Sequence, residues 1–414
     1  MIRTIHLPCV LPREEADALN RESGVIYSRT MIWHYRVYRR KGIWLSPGAQ
    51  SRLEDSLGGP TRLHAHSRDA AQQGFSEACK TAKAARSAGL DVHYPHKRKR
   101  YRTTTWKHTG MRIKDGMLRL ARARGLSPIL VTVPTSLASI PPSSFRQVEL
   151  VWDRAGRHYQ WHLTIEDGSV ATPSPGPGIA AVDLGEIHPA AITDGTHAVV
   201  ISLRELRSQR QYTAKRLSTL QTLQSGKQKG SKAWRRLQRR KHRFLAKQQR
   251  KTRDLEHKAS RAVVDWAVEH QVGTVVIGDV RDVADGKRLH RNQQQKISMW
   301  SHGKQREYIT YKAQAAGISV PALINEQKTS KTCPQCRHEH KPRGRHFVCP
   351  VCGLVRHRDI VGSANILSRH LYGEVGRLTP PQDVMYRHPH HVGKRSRPDT
   401  AHVAGRQLPE AAAL

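Results

Sequence analysis

Apolar and polar positions change rhythm several times along the chain, and each rhythm predicts an element. Residues 2–12 alternate, as a half-buried strand does. Residues 145–166, FRQVELVWDRAGRHYQWHLTIE, alternate as two strands around an Asp-Arg-Ala-Gly turn and predict a hairpin. Residues 13–95 between them carry Ala-rich and acidic patches such as EEADAL and EACKTAKAARSAG, and they read as mainly helical. Pairing the hairpin with residues 2–12 gives a small β-barrel with a helical insertion.

After 167–178, DGSVATPSPGPG, a linker by composition, the pattern changes. The apolar run 179–184 predicts a short buried strand ending at Asp183. Residues 190–193 and 198–203 predict two more strands around an Asp194-Gly195 turn. Leu203, Leu206, Leu217 and Leu220 then recur at helical spacing. Past a turn at 225–231, SGKQKGS, the residues Trp234, Leu237, Phe244, Leu255, Ala259, Ala262, Val263 and Trp266 form one stripe of a long helix. The rest of the pattern predicts a buried strand at 272–280, a loop at 281–295, a helix at 297–316 closed by Gly317, a strand at 318–326, and a helix at about 360–371. The segment from Gly373 is rich in Pro, His and Arg, lacks an apolar period and reads as a disordered basic tail over 372–414.

Charge identifies the partner. Lys and Arg total 71 against 33 acids, a formal net charge of +38 over 414 residues. So large a surplus repels itself unless a polyanion neutralises it, and nucleic acid does so through phosphate contacts and counterion release. The basic residues crowd two places: KRKRYRT at 97–103, with an aromatic inside it, and the polar face of the long helix, RRLQRRKHR and KQQRKTR. A membrane partner fits poorly, because the charge is spread over all segments. No apolar run reaches the roughly 18 residues that a spanning helix needs, and the N-terminus, MIRTIHLPCVLPREE, meets charges too early for a secretory signal.

Four of the six cysteines form two knuckles, Cys333-x-x-Cys336 and Cys349-x-x-Cys352, a spacing that suits one tetrahedral Zn²⁺. Pro334, Pro350 and Gly353 suit the tight turns that aim the sulfurs at one point. Two disulfides or four spectator thiols are the alternatives. Only Cys9 and Cys79 lie elsewhere, which fits a reducing cytoplasm.

Three acids stand where chemistry needs them. Asp183 closes a buried strand, where an uncompensated charge is costly and a cation would offset it. Asp359 opens the helix after the knuckles, where it is also an ordinary N-terminal acid. In TVVIGDV side chains alternate across the strand, so if Gly278 lies on the active edge, Asp279 points the other way. Adjacent strands lie about 4.8 Å apart, so Glu326 at the end of the next strand reaches the space Gly278 leaves open. A solvated Glu326 is the alternative. Meander, helices, strand, helix, strand and helix over 179–371 suit an RNase H-like layer, an architecture in which such carboxylates hold divalent cations.

These residues resemble TnpB, the transposon-encoded RNA-guided nuclease, and the miniature type V CRISPR effectors. AVDLGEIHPAAITDG resembles the first RuvC motif, with Asp183 at its aspartate; TSKTCPQC with CPVCGLV resembles the zinc ribbon; HRDIVGSANIL resembles the third motif, with Asp359 at its aspartate. VVIGDV departs from the second motif, with Gly278 where the family has glutamate. Either the nuclease is dead or Glu326 supplies the acid.

The resemblance implies a multidomain α+β protein: a wedge-like β-barrel from 1–12 and 97–166, a helical recognition lobe at 13–96, a linker at 167–178, a RuvC-like α/β domain at 179–371, and a zinc ribbon at 328–356. It implies an RNA-guided DNA endonuclease, prokaryotic and cytoplasmic, more often monomer than dimer, with a guide RNA and target double-stranded DNA as partners. Asp183, Glu326 and Asp359 would hold two Mg²⁺, and Cys333, Cys336, Cys349 and Cys352 one structural Zn²⁺. A nuclease-inactive RNA-guided DNA binder and a transposon-associated strand-processing protein are the alternatives.

Overall fold

The computed structural model describes residues 2–389, apart from 155, 167, 169, 171 and 282–289. Two compact units divide the chain, Met1–Ser169 and Val170–Leu414.

The first unit starts with β1 (Ile2–Pro8) and continues through three helices, α1 (Arg13–Lys41), α2 (Pro47–Leu57) and α3 (Ala65–Ser87). Seven-residue β1 is followed by β2 (Thr104–Lys107), β3 (Met111–Lys114), β4 (Met117–Leu120), β5 (Ile129–Thr132), β6 (Phe145–Asp153) and β7 (His158–Glu166). Two sheets result, in the orders β1-β7-β6-β2 and β3-β4-β5. The 145–166 hairpin forms, and β1 pairs with it antiparallel along β7. Inward positions such as Leu150, Trp161 and Leu163 share a core with Leu19 and Ile26 in the first half of α1. Asn20 pins α1 to the sheet: its Nδ2 donates to the Leu150 carbonyl (3.0 Å) and its Oδ1 accepts from the Thr104 amide (3.0 Å). The basic segment 97–101 is exposed, yet its backbone is tied down, because Ser28 Oγ accepts from the Lys99 amide at 2.8 Å. Gly24 permits this approach, since a Cβ there would stand 2.8 Å from the Arg100 backbone.

The second unit is a sheet with helices on both faces. Its elements are β8 (Gly178–Asp183), β9 (Ala190–Thr193), β10 (Ala198–Ile201), α4 (Arg204–Ser225), α5 (Lys232–Glu269), β11 (Val272–Asp279), α6 (Arg291–Ser298), α7 (His302–Ala315), β12 (Ile324–Asn325), β13 (His346–Val348), β14 (Val355–His357), α8 (Arg358–Tyr372) and β15 (Met385–Arg387). The strands run β12-β11-β8-β9-β10-β15. Pairs β8–β9 and β9–β10 are antiparallel, whereas β11 lies parallel to β8 and to β12. Alternation sorts the faces. Ala180 and Val182 pack with Ala259, Val263 and Trp266 of α5 on one side. Ala181 and Val276 pack with Ile366 and Leu367 of α8 on the other. The apolar stripe of α5 sinks fully only from Ala259 onward; Trp234, Leu237 and Phe244 are half-buried.

Four expectations need correction. The strand at 318–326 shrinks to a Ser319 bridge and two-residue β12, because Pro321 has no amide proton for a ladder. The helix at 297–316 is two helices, α6 and α7, separated at 299–301, where Trp300 turns inward and donates from its indole to Gln305 Oε1 at 3.1 Å. The loop at 281–295 falls mostly on 282–289, outside the described residues, and its last part, 291–295, is helical. The tail is ordered as far as 389: Met385–Arg387 adds a strand parallel to β10, and Gly376 donates to Asn365 Oδ1 at 2.9 Å. Residues 390–414 lie outside the description.

Candidate active site

Register assembles the acids. Ile277 pairs with Val182, so Asp183 and Gly278 stand side by side where two parallel strands end. Gly278 pairs with Ile324 on its other side, which places Glu326 just past the end of β12. A Cβ on Gly278 would meet Glu326 Oε1 at 1.8 Å and its Cδ at 2.6 Å. The glutamate side chain therefore occupies the space that the missing side chain leaves.

A second glycine does the same for Asp183. Gly362 lies in α8, where 360–368 are buried against the sheet. A Cβ on Gly362 would stand 2.2 Å from Asp183 Oδ2. The small run Gly362-Ser363-Ala364 thus lets the helix cross the end of β8 closely enough to bring Asp359, in its first turn, towards Asp183.

Asp183, Glu326 and Asp359 line one cleft of about 1020 Å³, together with Asp279, Arg345 and Arg358. Asp183 keeps an open face, but burial among its neighbours, then the charges of Glu326 and Asp359, hold its carboxyl well above the usual range. Burial, then the Asp279 charge, pushes Glu326 up to about 7. Asp279 itself is clamped by Arg281, whose Nη2 lies 2.5 Å from Oδ2, and this holds its carboxyl below the usual range. So β11 does offer a carboxylate to the cleft, at its margin. Arg345 Nη1 donates to Asp359 Oδ2 at 3.0 Å.

This donor set fits hard divalent cations, which take oxygen ligands. Glu326 Oε1 is buried with no hydrogen-bond partner, a state that costs free energy unless something else satisfies it. The trio is spread more widely than a single-ion cage: among the described residues, the groups of metal-competent atoms within 4.8 Å of one another do not include these three acids.

The cysteines are drawn tight. Ligand atoms of Cys333, Cys336, Cys349 and Cys352 all lie within 4.8 Å of one another. Sγ atoms of Cys333 and Cys352 are 3.6 Å apart, and those of Cys336 and Cys349 are 3.5 Å apart. A disulfide needs about 2.05 Å, whereas tetrahedral Zn–S bonds of about 2.3 Å set sulfurs roughly 3.8 Å apart. The cluster therefore has the dimensions of a tetrathiolate metal site. It shares a core with Val361 of α8, so the knuckles and the Asp359 turn are packed as one piece.

Sequence reading missed the neighbours of Asp359. Arg345 lies between the two cysteine knuckles in the sequence, and His188 and His357 group with Asp359 within 4.8 Å. His357 stands beside the acid in the HRD triplet, a local signal. His188 gives no such signal, because only the fold of 184–189 brings it back.

Two family models match the chain. The Cas12f1-like TNB domain covers residues 302–366, and the probable transposase family OrfB_IS605 covers residues 162–284. A TnpB-like protein of Methanocaldococcus jannaschii is 27% identical over 141 residues, which is 34% of this chain and 49% of that one. The CRISPR-associated endodeoxyribonuclease Cas12f1 of Sulfoacidibacillus thermotolerans is 31% identical over 114 residues, 27% of this chain and 25% of that one. The matches thus span about half of one curated relative and a quarter of the other. Among solved structures, Cas12f1 in a complex with sgRNA and target DNA superposes with a TM-score of 0.63 at 15% identity, covering 86% of this chain and 83% of that one. The mini-RNA-guided endonuclease CRISPR-Cas_phi3 superposes with a TM-score of 0.54 at 10% identity, covering 92% of this chain and 94% of that one. These two likenesses are of a multidomain α+β fold.

Proposed function

The chain is a relative of TnpB and the miniature type V CRISPR effectors, and from that kinship we propose that it is an RNA-guided, metal-dependent DNA endonuclease. The observation that carries the reading is Glu326 filling the space at Gly278, beside Asp183. The sheet order β10-β9-β8-β11-β12, with one antiparallel meander and two parallel additions, supports a RuvC-like reading of the second unit. The two sheets and three helices of the first unit are read as wedge and recognition lobe.

Asp183, Glu326 and Asp359 would hold two Mg²⁺, which supply an activated water and stabilise the leaving oxygen in phosphodiester hydrolysis. The chain's own residues prepare the site. Burial keeps Asp183 and Glu326 prone to hold protons until cations arrive. Lys331, Arg345 and Arg358 line the cleft and give phosphates cationic partners. The four cysteines would hold a structural Zn²⁺ that keeps Arg345 beside Asp359. Guide RNA and target DNA are the proposed partners, with base pairing reading sequence and the exposed basic segments reading backbone.

A second reading, an RNA-guided DNA binder without hydrolysis, is favoured by the glycine at 278. Purified ribonucleoprotein incubated with guide-matched DNA and Mg²⁺ separates the two. Cut product is expected; intact DNA under saturating binding would leave only the binder.

A further inference from the structure

Beside the carboxylate cleft lies a different donor set. His188, His357 and Asp359 each bring a ligand atom within 4.8 Å of the other two. Both histidines are more than nine-tenths buried, at 5% and 8% exposure, and each has a buried Nδ1 with no hydrogen-bond partner. Buried polar nitrogens are normally paired, so two orphans in one cluster call for an occupant. The fold brings them together from separate elements. His357 ends β14 and sits at the N-cap of α8. His188 is turned back by a tight loop at Gly185, where a Cβ would stand 2.6 Å from the His188 carbonyl oxygen. Tyr386 of β15 closes the cluster, its ring 6.1 Å from that of His188 and 5.8 Å from that of His357.

We propose that His188, His357 and Asp359 form a transition-metal site, distinct from the tetrathiolate cluster, that shares Asp359 with the carboxylate cleft. Two imidazoles and one carboxylate suit Zn²⁺ and neighbouring first-row ions, whereas Mg²⁺ takes oxygen donors. Arg345 competes for the same carboxylate at 3.0 Å. It contacts one oxygen, its side chain is 37% exposed, and it can swing aside when a cation arrives. The consequence for function rests on the reading of Asp359 given above: an ion here draws that carboxylate away from Mg²⁺, so zinc becomes an inhibitor of cutting.

Metal counting tests the site without reference to cutting. Full-length protein carrying its ribbon zinc is equilibrated with excess Zn²⁺ in the presence of Mg²⁺, desalted and measured by mass spectrometry of the metal. Two zinc per wild-type chain are expected, and one per chain in H188A and in H357N. Co²⁺ added to zinc-ribbon protein should give weak visible bands without the intense thiolate-to-cobalt absorption. One zinc in the wild type, or a second zinc that survives both substitutions, overturns the proposal. Should either variant lose the ribbon zinc as well, the wild-type count and the cobalt spectrum still decide. No cutting in Mg²⁺ by protein that carries only its ribbon zinc, with the two-zinc count intact after Zn²⁺ is added, would count against the nuclease reading and leave the site standing.

Discussion

Glu326 reaches into the space above Gly278, so closely that a Cβ on the glycine would lie 1.8 Å from its Oε1. Glycine at this position is therefore the complement of the glutamate. Placing a methyl group there forces the carboxyl away from Asp183, and a shift of about 1 Å in a reacting group costs roughly 100-fold in rate. G278A should cut at least about 100-fold more slowly than wild type, with target binding unchanged, as read by gel assays of both. The exchange G278E with E326G should recover about tenfold or more of what E326G alone loses; no recovery would break the link between the two positions.

The raised carboxyls give the apoprotein a pH signature. Glu326 moves from 4.5 to about 7. The folded state then binds a proton that the unfolded state has released, so stability falls as pH rises between those values. In chelator, the melting temperature of wild type should drop across this window, and E326Q should drop less. Mg²⁺ binds the deprotonated form and should restore stability at the upper end. Substituting Asp279 by Asn removes the second cause of the shift and should move the midpoint down. Identical pH profiles for wild type and E326Q would contradict the assignment.

Removing the ribbon metal should reach Asp359. The cluster shares its core with Val361, and Arg345 comes from the same module. C349S, or prolonged chelation, should lower the melting temperature and cut activity at least about 100-fold through misplacement, while R345A, at a partly exposed pair, should change stability by less than about 1 kcal/mol. Calorimetry on the variants checks both.

A buried pair away from the cleft offers a stability test. Arg210 Nη2 lies 3.2 Å from Glu256 Oε1, with side-chain exposures of 7% and 3%. Glu256 also accepts from Ser301, at the N-cap of α7. E256A leaves a buried cation without its paired carboxylate and should cost about 3–5 kcal/mol, read as a shift in denaturant midpoint.

Much of this architecture is written in local patterns. The sheet strands of the second unit are apolar runs with few competing readings, and the knuckle spacing needs only two short motifs. What stayed hidden depends on long-range partners. Proline at 321 breaks a ladder whose apolar pattern looks continuous. Met385–Arg387 is three residues without a period, and only β10 makes it a strand. His188 joins His357 through a loop fold that no spacing encodes. Gly278 and Glu326 are 48 positions apart, and their complementarity was legible because strand alternation and strand separation are fixed quantities.

Cutting by E326Q is the most direct test of the central claim that Glu326 completes the acid set. Wild type and E326Q ribonucleoproteins are assayed in Mg²⁺ on guide-matched DNA, with binding measured in the same samples. Binding should match while cutting by E326Q falls roughly 1000-fold. Equal cutting by the two proteins would show that the carboxyl at 326 takes no part.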